Sequence, residues 1–202
     1  GREAFTKRQI GQLLALALTH SFVGVGFFVL SNWGPSYIHS LGVTSHRAVG
    51  ALSALPWLAA SAVGVAGGTV CDALIARGWR TFSVRRLAMA VSMGTPAVAL
   101  LLLTQASAPA AAVALLTFAV GIEALVYSGL HAYIVDSCGD RSGTVLASTN
   151  ACSVIAGIVG NILTGRILDA SGSWSLVFAM AAAAFLSSCV AFNALIDGER
   201  IF

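Results

Sequence analysis

Two side chains stand where ionisable groups are costly. Glu123 is the only charged residue between Arg86 and Asp136, and His20 lies in the stretch 9–46, which carries no formal charge. A charged side chain at the centre of a bilayer costs roughly 2.5–3.5 kcal/mol even on the lenient insertion scale, so such a group is expected to face protein or water. Both fit a substrate, proton or cation site, and the plain alternative is a satisfied structural hydrogen bond. Asn150 and Asn161 can hydrogen-bond across helices or line a polar cavity. His131 and Asp136 read as capping or loop groups at the end of an apolar run.

A second cluster is a loop. It reads Gly67-Gly-Thr-Val-Cys-Asp72, then Ala-Leu-Ile-Ala-Arg77-Gly-Trp-Arg80, then Val84-Arg85-Arg86. Gly68 is expected to let a neighbouring helix approach. Asp72 is expected at a helix end, paired with an Arg or with the positive N-terminus of another helix. The arginines hold the loop at one membrane face. Arg166 and Asp169 are expected to pair at the other.

The elements that must position these groups follow from the scarcity of charge. Eleven Lys or Arg and eight Asp or Glu make up only 9 % of 202 residues, the apolar share is 57 %, and mean hydropathy is +0.88. A soluble domain carries about 25 % charged residues. Disorder, a nucleic-acid module and an ordinary soluble enzyme are excluded, and the solvent is largely lipid. The charge-free runs are 9–46, 48–71, 87–122, 124–135, 142–165 and 170–196. A helix crossing a bilayer needs about 20 apolar residues, whereas a barrel strand needs about ten with alternating polarity. These runs are long and do not alternate. They predict an all-α membrane protein with six transmembrane helices, forming a single domain over 1–202. The spans are about 10–38, 47–71, 84–105, 109–134, 142–167 and 174–196, with a polar hinge at Gln105-Ala-Ser-Ala-Pro109.

With both termini on one side, that side collects Arg2, Lys7, Arg8, Arg77, Arg80, Arg85, Arg86, Arg141 and Arg200, against Arg47 and Arg166 opposite. Positive charge marks the inner side, so both termini are expected to be cytoplasmic, or stromal or matrix-side in an organelle. Trp33, Tyr37 and Trp174 then fall at the outer interface and Trp79 at the inner one. Gly64 with Gly68, and Gly157 with Gly160 and Gly165, offer small surfaces for helix packing. Pro35, Pro56 and Pro96 lie within spans, where each bends its helix. The four cysteines read as packing residues. No metal ligands and no catalytic residues are identified.

The loop Gly68-x-x-x-Asp72 with its arginines resembles the loop motif of the major facilitator superfamily. Asn32-Trp-Gly-Pro-Ser-Tyr37 and Gly50-Ala-Leu-Ser-Ala-Leu-Pro56 resemble the seventh and eighth helices of its anion:cation symporter family, which includes sodium-phosphate cotransporters, sialin and plant plastid phosphate transporters. Tyr127-Ser-Gly129 with Asp136, then Gly143, Ser148-Thr-Asn150, Ala156-Gly-Ile-Val-Gly160 and Thr164-Gly-Arg-Ile-Leu-Asp169-Ala-Ser-Gly-Ser-Trp174, resemble its tenth to twelfth helices. Asp197-Gly-Glu-Arg-Ile-Phe202 is similar to the plastid members' tail. Asn161 departs from a common Pro, and Val23 stands where organic-anion members can carry an Arg.

The resemblance implies the C-terminal half of a twelve-helix transporter. It implies alternating access, an N-terminal six-helix half as partner, a small anion as substrate (inorganic phosphate above organic anions, given Val23) and sodium or a proton as coupling ion. The first and fourth spans line the cavity of such a half, and these carry His20 and Glu123. Gly68, Asp72, Arg77, Arg80, Arg85, Arg86 and Asp136 become gating residues, and a plastid membrane becomes the implied location. The chain is then a fragment or half-domain, or two copies assemble. Two alternatives stay open. One is a non-transporting, truncated membrane subunit. The other is a rhomboid-like serine protease built on Ser128-Gly129, but the sixth span lacks the histidine that must activate such a serine.

Overall fold

In a computed structural model that describes residues 5–106 and 108–202, the chain is an all-α membrane protein. Arg2 of the inner cation set and Ser107 of the expected hinge lie outside the described residues. The helices are α1 (Lys7–Ser40), α2 (His46–Ala76), α3 (Thr81–Leu103), α4 (Pro109–Glu123), α5 (Ala132–Cys138), α6 (Ser142–Ser171) and α7 (Trp174–Leu195). A π-helical turn, Tyr127–His131, lies between α4 and α5, and a 3-10 turn, Gly139–Arg141, joins α5 to α6.

Local chemistry sets the ends. The Thr6 hydroxyl accepts from the Gln9 backbone N–H, and the Gln9 side chain accepts from the Thr6 backbone N–H, a reciprocal cap that starts α1. Ser45 and Ser173 cap α2 and α7 in the simpler way. Gly172 at φ +64° ends α6, in a left-handed conformation that L side chains avoid. The helices run through Pro35, Pro56 and Pro96. α1 and α2 extend past their expected bounds at both ends and α3 starts three residues early, because polar end turns carry helical hydrogen bonds beyond the apolar run, while α3 ends at Leu103, two residues short.

Among the described residues, five continuous helical stretches are long and apolar enough to cross a membrane, one fewer than the sequence predicts. The fourth, Pro109–Ser171, is 63 residues long. At 1.5 Å per residue it measures about 95 Å, three times a hydrocarbon core. It contains both the fourth and the fifth expected spans, divided at Gly139, whose φ of +51° breaks the helix.

α1 lies at the centre, against α6 and α7, while α3 packs between α7 and α4, and α2 leans on α4. Leu16, Ile38, Met93, Leu100, Leu130, Phe185 and Phe192 form the fully buried core. α2 is the least buried helix, with only Pro56, Gly67 and Cys71 buried along 31 residues. Leu58 and Val65 of α2 and Ile155, Ile158 and Ile162 of α6 are exposed, an apolar surface suited to lipid or to further protein.

The glycines of α6 do what their spacing predicts. Gly157 takes Phe28 against its backbone, Gly160 takes Val25 and Val29, and Gly165 meets Trp33. From α1, Gly24 returns the contact against Ser153. In α2 the expectation is corrected: nothing approaches Gly68, and Gly67, one residue earlier, takes Leu125. Tyr37 and Trp174 sit together with ring centroids 5.3 Å apart, joined by Trp33 and Phe178.

Candidate functional site

The sequence places His20 deep in α1, and the structure gives it partners from two other elements. His20 is buried at 4 % exposure. Its Nδ1 lies 3.0 Å from the Thr149 hydroxyl of α6. Its Nε2 lies 3.4 Å from Nε2 of His131, the last residue of the π turn. The Thr149 hydroxyl donates to the Leu146 carbonyl at 3.2 Å, so it accepts from His20 Nδ1–H. That assignment leaves His20 Nε2 as an acceptor, with His131 Nε2–H as its donor. Tyr127, 55 % exposed, stacks edge-on against His131 with centroids 5.0 Å apart. A polar thread therefore runs from α6 through α1 and the π turn to an open face.

The π turn makes this possible. π-helical turns inside α-helices are frequently found at functional sites. Here the wider turn follows the break after Glu123 and swings His131 toward α1. His131, read from sequence as an end group, is thus part of the His20 cluster. Thr149 and Tyr127 were not singled out either. The only signal available was the recurrence of Tyr-Ser-Gly and Ser-Thr-Asn in the family motif.

Glu123 is the last residue of α4 and is 5 % exposed. The ion pairs among the described residues are Arg8–Asp197 and Arg85–Asp136, so no cation there balances it. No hydrogen bond joins it to His20, and the two buried groups form separate sites. An unpaired carboxylate at this depth is costly, which calls for a proton, a cation or a cationic partner. Asn161 is half-buried, with its Oδ1 unpartnered among the described residues. Asn150 is exposed on α6, beside Thr149.

The Arg-rich loop between α2 and α3 resolves into unequal parts. Arg85, 8 % exposed, donates from Nε to Asp136 Oδ2 at 2.8 Å and from Nη1 to the Ser128 carbonyl at 3.1 Å. Asp136 is therefore an ion-pair partner rather than a cap. Arg86 donates to the Asn193 side chain and carbonyl and lies over the Phe82 ring. Arg77 and Arg80 are exposed. Asp72 is exposed inside α2 and pairs with no Arg among the described residues, because α2 runs on to Ala76 and turns it outward. Arg166 and Asp169 form no ion pair there either. They are three positions apart on α6, with a polar surface open to both.

The C-terminal tail packs back on the start of α1 and the end of α5. Arg8 donates to both Asp197 oxygens, at 2.8 and 3.1 Å, and to the Arg200 carbonyl at 3.0 Å. Burial pushes the Asp197 carboxyl up, but the Arg8 hydrogen bonds outweigh it and hold it below its ordinary 3.8. Ser137 accepts at its carbonyl from the Ile201 N–H at 2.8 Å.

No family model matches the chain. Among curated relatives, it is 30 % identical over 200 residues to sodium-dependent phosphate transport protein 1, chloroplastic, of Arabidopsis thaliana, covering 99 % of this chain and 38 % of that protein. It is 32 % identical over 187 residues to the probable anion transporter 4, chloroplastic, of Oryza sativa subsp. japonica, covering 93 % of this chain and 32 % of that protein. The ascorbate transporter, chloroplastic, of Arabidopsis thaliana is 32 % identical over 187 residues, covering 93 % and 34 %. All three are named transporters rather than enzymes. The chain is thus similar along nearly its whole length to chloroplast anion transporters, and it spans about a third of the length of the relatives it matches.

Proposed function

We propose that this chain is the C-terminal half of a plastid membrane transporter for an anion, inorganic phosphate or a small organic anion. We place it in the anion:cation symporter family of the major facilitator superfamily. It crosses the membrane six times, with both termini on the stromal side, and works by alternating access against an N-terminal six-helix half. The observation that carries this reading is the similarity to chloroplast phosphate, anion and ascorbate transporters over 93 % or more of the chain. The excess of Lys and Arg on one side supports the orientation. The buried polar groups His20 and Glu123, on the first and fourth crossings, support two midplane sites, for substrate and for coupling ion.

In this mechanism the two halves rock about the midplane and expose the site to one side at a time. Glu123 supplies negative charge for a cation, His20 supplies a polar lining, and the Arg85–Asp136 pair fastens the inner ends of α3 and α5. The test is uptake of labelled phosphate and of labelled ascorbate into proteoliposomes bearing the full-length protein, with sodium or proton gradients imposed. Gradient-driven uptake that falls in Glu123→Gln and His20→Ala is expected. Uptake unchanged in both variants removes these residues from the site. An absence of anion uptake under every gradient removes the function.

A further inference from the structure

We infer that His20 and His131 form a binding site for one proton, and that its occupancy is tied to occupancy by the anion. This rests on reading the chain as half of an anion transporter. The geometry is specific: two imidazoles face each other through Nε2 at 3.4 Å, and His20 is held from behind by Thr149 at 3.0 Å. In the neutral pair, the His131 Nε2–H donates to the lone pair of His20 Nε2. That leaves His131 Nδ1 as the free lone pair of the pair. A single incoming proton settles there, and the Nε2–H···Nε2 hydrogen bond becomes charge-assisted, so that both rings share the charge.

Three changes arrive together with that proton. The pair gains one positive charge. Its ring-to-ring hydrogen bond becomes charge-assisted. His131 Nδ1–H, on a half-buried ring beside the exposed ring of Tyr127, becomes a donor without an acceptor among the described residues. An oxyanion supplies both an acceptor and the balancing charge. Loss of the proton withdraws the donor. Proton and anion thus stabilise each other at one place, and by reciprocity each tightens the binding of the other equally.

The surrounding elements leave this exchange to the pair. The titratable or charged groups they carry within the membrane are Glu123 on α4, Tyr127 in the π turn and Cys71 on α2. α5 carries Tyr133, Cys138 and Asp136, α3 carries Arg85 and Arg86, and α6 and α7 carry Cys152 and Cys189. Asp136 and Arg85 neutralise each other. Among the described residues no carboxylate pairs with either histidine, so the compensating charge must come from outside these residues.

The test has two arms. In the first, the full-length protein with 15N-labelled histidine is placed in nanodiscs, the two imidazoles are assigned by their His→Gln variants, and their resonances are followed against pH. A shared proton makes His20 and His131 change in one coupled step. It also makes His131→Gln move the His20 midpoint by about one pH unit, a tenfold change in proton affinity. Rings that titrate independently, or a His20 midpoint unmoved in His131→Gln, overturn the pair. In the second arm, the full-length protein in proteoliposomes takes up labelled phosphate under a proton gradient without sodium. Accumulation lost in His20→Gln and His131→Gln supports the link. Accumulation driven by sodium alone and untouched by both variants overturns the link and leaves the transport reading standing. Absence of anion transport under any gradient overturns that reading and the anion link with it, whatever the titration arm shows of the pair.

Discussion

Replacing Gly24 with alanine tests how the site is held together. Gly24 on α1 is buried against Ser153 of α6, one helical turn beyond the His20–Thr149 contact on both helices. A Cβ at Gly24 would lie 2.7 Å from the Ser153 carbonyl carbon and closer still to its oxygen. Carbon atoms in contact prefer about 3.5–4.0 Å, so the two backbones must part by roughly 1 Å. The obstacle is a backbone carbonyl, which cannot swing aside like the end of a side chain. Overpacking typically costs about 1–3 kcal/mol, and this contact belongs at the upper end. For a chain of this size about 3 kcal/mol corresponds to a fall of roughly 6–12 °C in thermal midpoint. The same displacement stretches the 3.0 Å His20–Thr149 hydrogen bond to about 4 Å, beyond bonding range. The assay is tryptophan-fluorescence melting in nanodiscs, paired with the histidine titration. Gly68→Ala is the control, since nothing lies within 4 Å of that position. It should leave melting unchanged or raise stability by about 0.5–1 kcal/mol through helix propensity. A Gly24→Ala protein that melts like Gly68→Ala, with an unchanged His20 resonance, would refute the reasoning.

Arg85→Lys is expected to behave as a loss rather than a conservative exchange. One ammonium cannot reproduce the planar fork that serves Asp136 and the Ser128 carbonyl together, and a lost hydrogen bond to a charged group costs about 1.5–3 kcal/mol. Denaturant melts should show destabilisation in Arg85→Lys and Asp136→Asn, and double-mutant additivity would argue against the pair. The Arg8–Asp197 pair predicts acid sensitivity. Its carboxyl is depressed on folding, so its contribution is fully present above about 3.8 and lost as pH falls through the lower folded value. With side-chain exposures of 43 % and 35 %, the pair is worth at most about 1 kcal/mol. Between pH 6 and pH 3 the native protein should therefore lose slightly more thermal stability than Asp197→Asn; equal losses would discount the pair.

The helices were legible because lipid imposes a blunt rule: about 20 residues without charge must be helical to satisfy their own backbone. The finer placement depended on phase. Gly67 and Gly68 differ by one residue, which turns the face by about 100° around a helix. With glycine at both positions, composition cannot choose between them. Asp72 failed for the same reason, since the longer α2 carries it onto an open face. The burial of His20 and Glu123 was readable from the distance to the nearest charges. The partnership of His20 with His131, 111 positions later, was not. It depends on a π turn whose residues, Tyr-Ser-Gly-Leu-His, carry no signature of the extra residue per turn.

That turn also joins the two ends of the site. Arg85 grips the Ser128 carbonyl, and the next residue, Gly129, lies against Met89 one turn along the same helix, where a Cβ would come within 2.7 Å of Met89 Cγ. α3 therefore holds the start of the turn by a charge-assisted hydrogen bond and by a close backbone approach. The turn's far end presents His131 to His20. A five-residue segment is too short to absorb movement at one end without moving the other. Release of Arg85 from Asp136 thus bears on the His20–His131 contact, and movement of that contact bears on Arg85, because one backbone turn carries both.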